Sequence, residues 1–299
     1  MELEANEATV EPIYVIGDSH ALPYRNLMFR ESWTGSWASV HAKYVSGLTA
    51  HDFFEPSSGD FHPAVIEFLE FEGLVRNGKA THLSSDEVDF SIHRASGKAV
   101  TPPLLLFTMG CIDVRGAILP VLRDTHDFVP NFETELPLLD RPLIPWDVID
   151  SMIRQRVDPM IAGLQQLMNA GFNRLYVQLV VPPTRDEARA KQLQGYETPV
   201  SIRTKLVMAF NRYLENECKR IGVKTISLWP SLTEGGYLRP DLEVDGVHVP
   251  PKAAKWFVEA LIEDAVNCQW FAINHVRYEM FYRMACGLEP FGFPSSSTA

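Results

Sequence analysis

Hydrophobic positions along this chain fall into two rhythms. Short continuous runs, Ile13-Tyr14-Val15-Ile16 and Leu104-Leu105-Leu106-Phe107, suit buried parallel strands, and Ala38 to Val45, Arg174 to Val181 and Val223 to Leu228 read as further strands. Longer segments carry apolar residues at helical spacing. Val65, Ile66, Leu69 and Leu74 mark a helix over 63–75, stopped by Asn77-Gly78. Val148, Met152, Val157, Ile161, Leu164 and Met168 mark one over 147–170, with Pro159 placed to kink it and Gly171 to cap it. Two more span 202–221, ending at Gly222, and 251–266, opened by Pro250-Pro251. Strand and helix alternate, which predicts an α/β fold: a parallel sheet between two helical layers, an α/β/α sandwich. Five strands fit the flavodoxin-like order 2-1-3-4-5, in which the first and third strands flank the ligand-binding switch point.

The remaining stretches lack a clear period. Residues 52–101 read as a peripheral insertion, with a weak hairpin around Gly97. Loops are expected over 119–143, 182–199 and 229–249. Trp33 and Trp37 flank Gly35 and either wall a pocket or join the core. The aromatic tail 269–287 is too apolar to be left in water. It is expected to form a helix that packs on its own domain or on a second copy, giving a homo-oligomer. Residues 11–287 then form a single domain, with 1–10 and 288–299 as flexible termini.

Composition narrows the function. The formal charge of −11 over 299 residues argues against a nucleic-acid surface. The four cysteines, Cys111, Cys218, Cys268 and Cys286, have neither metal nor redox spacing. They read as reduced thiols of a cytoplasmic protein. The first residues lack a signal-peptide core, and no apolar run is long enough to cross a membrane. His41, His51, His62, His82 and His93 match no metal motif and are taken as ordinary polar residues, so no metal or cofactor is expected.

Two stretches carry chemistry. Gly17-Asp18-Ser19 ends the first strand. All three residues favour turns, and the glycine would set the serine at the ligand-binding edge. Near the other end, Asp245-Gly246-Val247-His248 puts an acid three residues from an imidazole. Such an acid can fix the imidazole tautomer and free the other nitrogen to accept a serine proton. A wound sheet can bring the two stretches together.

With both in view, the chain resembles the SGNH hydrolases, the GDSL-type esterase and lipase superfamily. Gly17-Asp18-Ser19 matches the first block and Asp245-Gly246-Val247-His248 the last. Gly47 lies where the second block is expected, and Gly110-Cys111-Ile112-Asp113 where the third, Gly-x-Asn-Asp, is expected. The resemblance implies Ser19 as nucleophile, His248 as base, Asp245 as orienting acid, and the Ser19 and Gly47 amides as oxyanion donors. Asp18, His20, Asp113 and Arg115 are the substrate-binding candidates. His20 replaces the leucine of the name-giving motif, a variable position. Ile112 replaces the asparagine that would supply a further oxyanion donor, and isoleucine has none. Arg115 stands three residues further on. It is a substitute donor, a binder of an acidic substrate group, or a salt-bridge partner of Asp113. Gly-x-Ile-Asp-x-Arg also resembles a divergent bacterial branch of the superfamily.

The expected activity is hydrolysis of a carboxylic ester, a small acyl group on a sugar or metabolite, without a cofactor. Acyl transfer by the same residues to another alcohol, and a binding protein with a decayed site, are the alternatives. The α/β-hydrolase pattern is excluded, because Ser19 follows the first strand and lacks a glycine-x-serine-x-glycine elbow.

Overall fold

The computed structural model describes residues 12–25, 27–30, 37–76, 79–80, 103–123, 125–262 and 269–271. Its centre is a seven-stranded sheet. In chain order the strands are β1 (Ile13–Gly17), β2 (Met28–Arg30), β3 (Trp37–Tyr44), β4 (Leu104–Thr108), β5 (Leu175–Gln178), β6 (Lys224–Ile226) and β7 (Gln269–Phe271). The spatial order is β6-β5-β4-β1-β3-β2-β7. The five strands β3, β1, β4, β5 and β6 are parallel, in the flavodoxin-like order read from the sequence. Two short antiparallel strands, β2 and β7, extend the edge beyond β3.

Period-two alternation divides the central strands between two cores. Tyr14, Ile16, Leu105 and Phe107 face a core shared with helices α2 (Trp146–Asn169) and α4 (Val200–Ile221). Ile13, Val15, Leu104 and Leu106 face the opposite core, with Phe257, Val258 and Leu261 of helix α5 (Pro251–Ile262). The chain is therefore a three-layer α/β/α sandwich. α2 runs unbroken through Pro159. Gly222 stops α4 in the left-handed conformation, at φ +80°.

Helix α1 (Pro63–Phe71) starts at His62, whose ring accepts the Ala64 amide, and lies in the expected insertion. Most of the expected hairpin around Gly97, with Trp33, Gly35, His82 and His93, lies outside the described residues. Two expectations need correction. The loop 182–199 contains a helix, α3 (Glu187–Gln194), opened by the Asp186 carboxylate on the Arg189 amide and closed by Gly195 at φ +78°. Of its residues only Ala190 is buried, so the helix has no apolar stripe for a periodicity reading to find. The tail expected to be helical from 269 begins instead as strand β7, whose aromatic residues have high strand propensity. Residues 272–299 lie outside the described residues.

The loop between α2 and the helical turn Leu119–Leu122 is held by charge. Asp127, fully buried, accepts the Phe128 and Leu139 amides at 2.7 and 2.9 Å. Lys205 of α4, 1% exposed, reaches the same carboxylate at 2.5 Å and the Phe128 and Pro137 carbonyls. Lys205→Met removes one partner of a buried pair and leaves the other charged. It is expected to lower the unfolding free energy by about 3 kcal/mol, read from the denaturant midpoint at constant slope.

Candidate active site

Gly17 closes β1 where it runs against β4. A Cβ on this residue would meet the Thr108 carbonyl oxygen and hydroxyl at 2.1 Å, so glycine is required by contact. The Asp18 amide then bonds the Thr108 carbonyl at 3.1 Å, and the chain turns into the 3₁₀ helix Ser19–Tyr24. Tyr24, buried, donates to Gln178 at the end of β5 and pins that helix to the sheet. Ser19 is left half-buried at the strand ends.

His248 meets it there. The Ser19 Oγ lies 2.5 Å from His248 Nε2, and His248 Nδ1 lies 2.5 Å from Asp245 Oδ2. The other Asp245 oxygen accepts the Val247 and His248 amides at 3.0 and 2.8 Å. Asp245 is buried, which disfavours its charge, but the hydrogen bonds and charge of His248 and the two amides prevail and bring its pKa down to about 2. An ionised Asp245 can only accept, so His248 carries its proton on Nδ1. Nε2 then presents a lone pair to the Ser19 hydroxyl. Gly246 sits at φ +93° because α3 crowds it: a Cβ would meet Leu193 and Arg189 side chains at 2.8 and 2.9 Å. Arg189 also donates to the Val244 carbonyl. The helix missed in the sequence thus braces the loop that carries Asp245 and His248.

Gly47 follows β3 in an exposed turn at φ +75°. Its amide has no acceptor among the described residues, and β3 pairs β1 so that Gly17 faces Tyr44. Gly110 stands at φ +112°, with Phe210 and Val180 where a Cβ would sit. Ile112 packs near Gly116 in the helical turn that follows, while Cys111 lies beside His20. Arg115 is half-buried and forms no ion pair among the described residues, with Asp113 or with any other acid.

Three substrate-binding candidates are corrected. Asp18 is buried and spends Oδ1 on the His20 amide and His20 Nδ1, both at 2.9 Å, which makes it a structural anchor for the turn after β1. His20 is buried, and its Nε2 donates to the Val247 carbonyl at 3.3 Å. Both of its nitrogens are therefore used. Burial works against a charge on His20, but the Asp18 carboxylate, with Cys111 beside it, holds its pKa well above the usual histidine range. Asp113 is buried and accepts the Ala50 and His51 amides at 2.7 and 3.2 Å, fixing the loop after Gly47. The residues that sequence reasoning missed are His20 as a strut and the wall around Arg203. The spacing Asp18-x-His20 was the available signal for the first; the second is visible only in three dimensions.

No family model matches the chain. No curated protein matches it either. The chain is similar to a set of solved structures, among them the following three. One is a candidate platelet activating factor from Streptococcus pneumonia, at 14% identity and TM-score 0.45, covering 87% of this chain and 86% of that one. A GDSL-like lipase from Bacteroides thetaiotaomicron aligns at 13% and 0.39, covering 85% and 87%. An aryl esterase from M. Smegmatis aligns at 12% and 0.40, covering 85% and 98%. At this distance the chemistry has to be argued from the chain's own side chains.

Asp113 gives a test of the loop geometry. Burial raises its pKa from 3.8 to about 6, against the two amide hydrogen bonds. A raised carboxyl pKa contributes stability that is present below about pH 4 and lost as pH rises through 6. Between pH 4 and 7 this group should account for about 2–3 kcal/mol of lost stability. Asp113→Asn should flatten that part of the slope, measured as the difference between unfolding free energies at the two pH values. A constant cost of the substitution cancels in that difference.

Proposed function

We propose that this chain is a serine hydrolase of the GDSL type that cleaves a carboxylic ester. The observation that carries the reading is the unbroken chain Ser19 Oγ, His248 Nε2, His248 Nδ1, Asp245, with both links at 2.5 Å. A serine hydroxyl alone is a weak nucleophile; a neutral imidazole aimed at it is what activates it. Ser19 Oγ attacks the ester carbonyl as His248 Nε2 takes its proton. The tetrahedral intermediate collapses to an acyl-Ser19, and His248 returns the proton to the leaving alcohol. Water then attacks the acyl group with His248 again as base, releasing the acid and free Ser19. Asp245 holds the tautomer and stabilises the imidazolium.

The Ser19 and Gly47 amides are the oxyanion donors in this reading, supported by a Gly47 N–H that has no acceptor among the described residues. A decayed site is disfavoured, since hydrogen-bond geometry this tight has no structural task of its own among partly exposed residues. The two described free thiols, Cys111 and Cys218, suit a cytoplasmic setting. Among the described residues no helix is long and apolar enough to cross a membrane.

A fluorophosphonate probe should label Ser19, identified by peptide mapping. Ser19→Ala should abolish both labelling and turnover of 4-nitrophenyl acetate. Asp245→Asn should keep the fold and lower kcat by about 10³–10⁴, because the amide favours the wrong tautomer of His248. Labelling at another residue, or turnover that survives Ser19→Ala, would move the chemistry elsewhere.

A further inference from the structure

A pocket of about 440 Å³, counted with its open mouth, begins where the triad loop ends. Gly246 and Val247, from the loop that carries His248, form part of its wall with Cys111, and Val114, Leu119 and Val207 make the pocket largely apolar. Arg203, from the first turn of α4, also lines it. That side chain is 2% exposed. Its Nε donates to the Thr198 carbonyl at 3.0 Å and its Nη1 to the Thr184 carbonyl at 2.9 Å. These two bonds fix the plane of the guanidinium. Nη2 is buried and has no hydrogen-bond partner among the described residues.

An unpaired donor on a buried cation is costly to keep. Burial lowers the Arg203 pKa, and Glu187, Glu243 and Asp186 offset this at longer range than an ion pair. Glu187 and Asp186 are each engaged with a backbone amide elsewhere. Arg115 lines the same pocket with its own guanidinium unpaired among the described residues. Gln194 adds a buried amide whose oxygen lacks a donor; turned over, that amide presents N–H groups instead. Two guanidinium groups and an amide thus line one largely apolar pocket, together with Gly246 and Val247 of the loop that carries His248.

We propose that this pocket is a carboxylate-binding subsite, in which Arg203, flanked by Arg115, receives a carboxylate carried by the ester substrate. The inference rests on the serine-hydrolase reading and names its substrate class: short esters with a free acid group. A carboxylate supplies the acceptor that Nη2 lacks. Apolar walls strengthen the charge-assisted bond by excluding water. The carboxylate belongs to the acyl part or to the alcohol part, and the experiment separates the two.

The test compares matched pairs on the wild-type protein. On the acyl side, the 4-nitrophenyl half-ester of glutarate is set against 4-nitrophenyl valerate. On the alcohol side, the acetyl ester of a hydroxy acid is set against that of the corresponding neutral alcohol. The expected result is about tenfold or greater preference in kcat/KM for the acid in one pair, shrinking as salt is raised. In Arg203→Gln the acid-to-neutral ratio should fall toward one, through KM. Neutral esters turned over with Ser19 labelled, and no acid preference in either pair, would overturn the subsite while sparing the hydrolase. That is also the result expected if Arg203 serves only to balance Glu243. If no ester is turned over, or the Arg203 variant does not fold, titration calorimetry of the wild-type protein with monomethyl glutarate and methyl valerate decides. About tenfold tighter binding of the acid supports the subsite, and equal or undetectable binding of both overturns it.

Discussion

The contact between the ends of β1 and β4 is the constraint on which the site depends. There is no room for a side chain at Gly17, because the Thr108 backbone occupies its place. The two strands can therefore run side by side to their last residues and release their loops at one point. From one comes Ser19, from the other Gly110 and the turn bearing Asp113 and Arg115. β3, on the far side of β1, delivers Gly47 to the same edge. A parallel sheet brings all strand ends of one sense together, and placing β1 in the middle gathers three of these loops around one serine.

Strand ends alone would leave those loops loose, and buried polar and charged side chains tie them down. Asp113 collects the Ala50 and His51 amides and fixes the chain after Gly47. Lys205 and Asp127 do the same for the long loop before α2. Asn211 clamps both backbone groups of Val180, and so holds a wall of the carboxylate pocket. Each of these side chains is buried and satisfied by a backbone partner in another segment. Removing a buried ion from water is unfavourable, and an apolar replacement would often stabilise more. What an apolar residue cannot do is specify which amide or carbonyl stands at a given point. Around a site whose parts must align closely, that directionality is the useful property.

Much of this was legible in the sequence, for identifiable reasons. Leu104 to Phe107 and Ile13 to Ile16 are apolar on consecutive positions, which happens in a strand covered on both faces, so the buried parallel sheet was legible, and its strand order was the one the resemblance implies. Ser19, Asp245 and His248 were legible because their spacing is local to turns. The helix Glu187–Gln194 was not, since its interior carries charge and buries Ala190 alone. Its caps, Asp186 and Gly195, were the better signal. Asp18, His20 and Asp113 looked like site residues because they adjoin the motifs. Sequence proximity cannot tell whether a side chain at a strand end points to the ligand or back into the protein. Arg203 lay beyond reach for a related reason. A basic residue in the first turn of an amphipathic helix reads as solvated, and its burial follows from how α3 and the 244–248 loop close over it.

The two histidine–carboxylate pairs at the centre show how context divides one chemistry into two tasks. Asp18 with His20, and Asp245 with His248, each set a carboxylate oxygen on Nδ1. Their rings lie 5.2 Å apart. The difference is the atom facing Nε2. For His20 it is the Val247 carbonyl, which can only accept, so Nε2 donates there and both ring nitrogens are occupied. For His248 it is the Ser19 hydroxyl, which has a proton to give, so the ring can stay neutral and act as a base. The first pair is a strut between the turn that carries Ser19 and the loop that carries Asp245 and His248, because its carbonyl partner belongs to the residue before His248. A leucine at position 20 could fill the same space but could not hold Val247. The histidine in this chain's motif thus joins the two stretches through one hydrogen-bonded path, running from Asp18 through His20 to the Val247 carbonyl, next to His248 and its contact with Ser19.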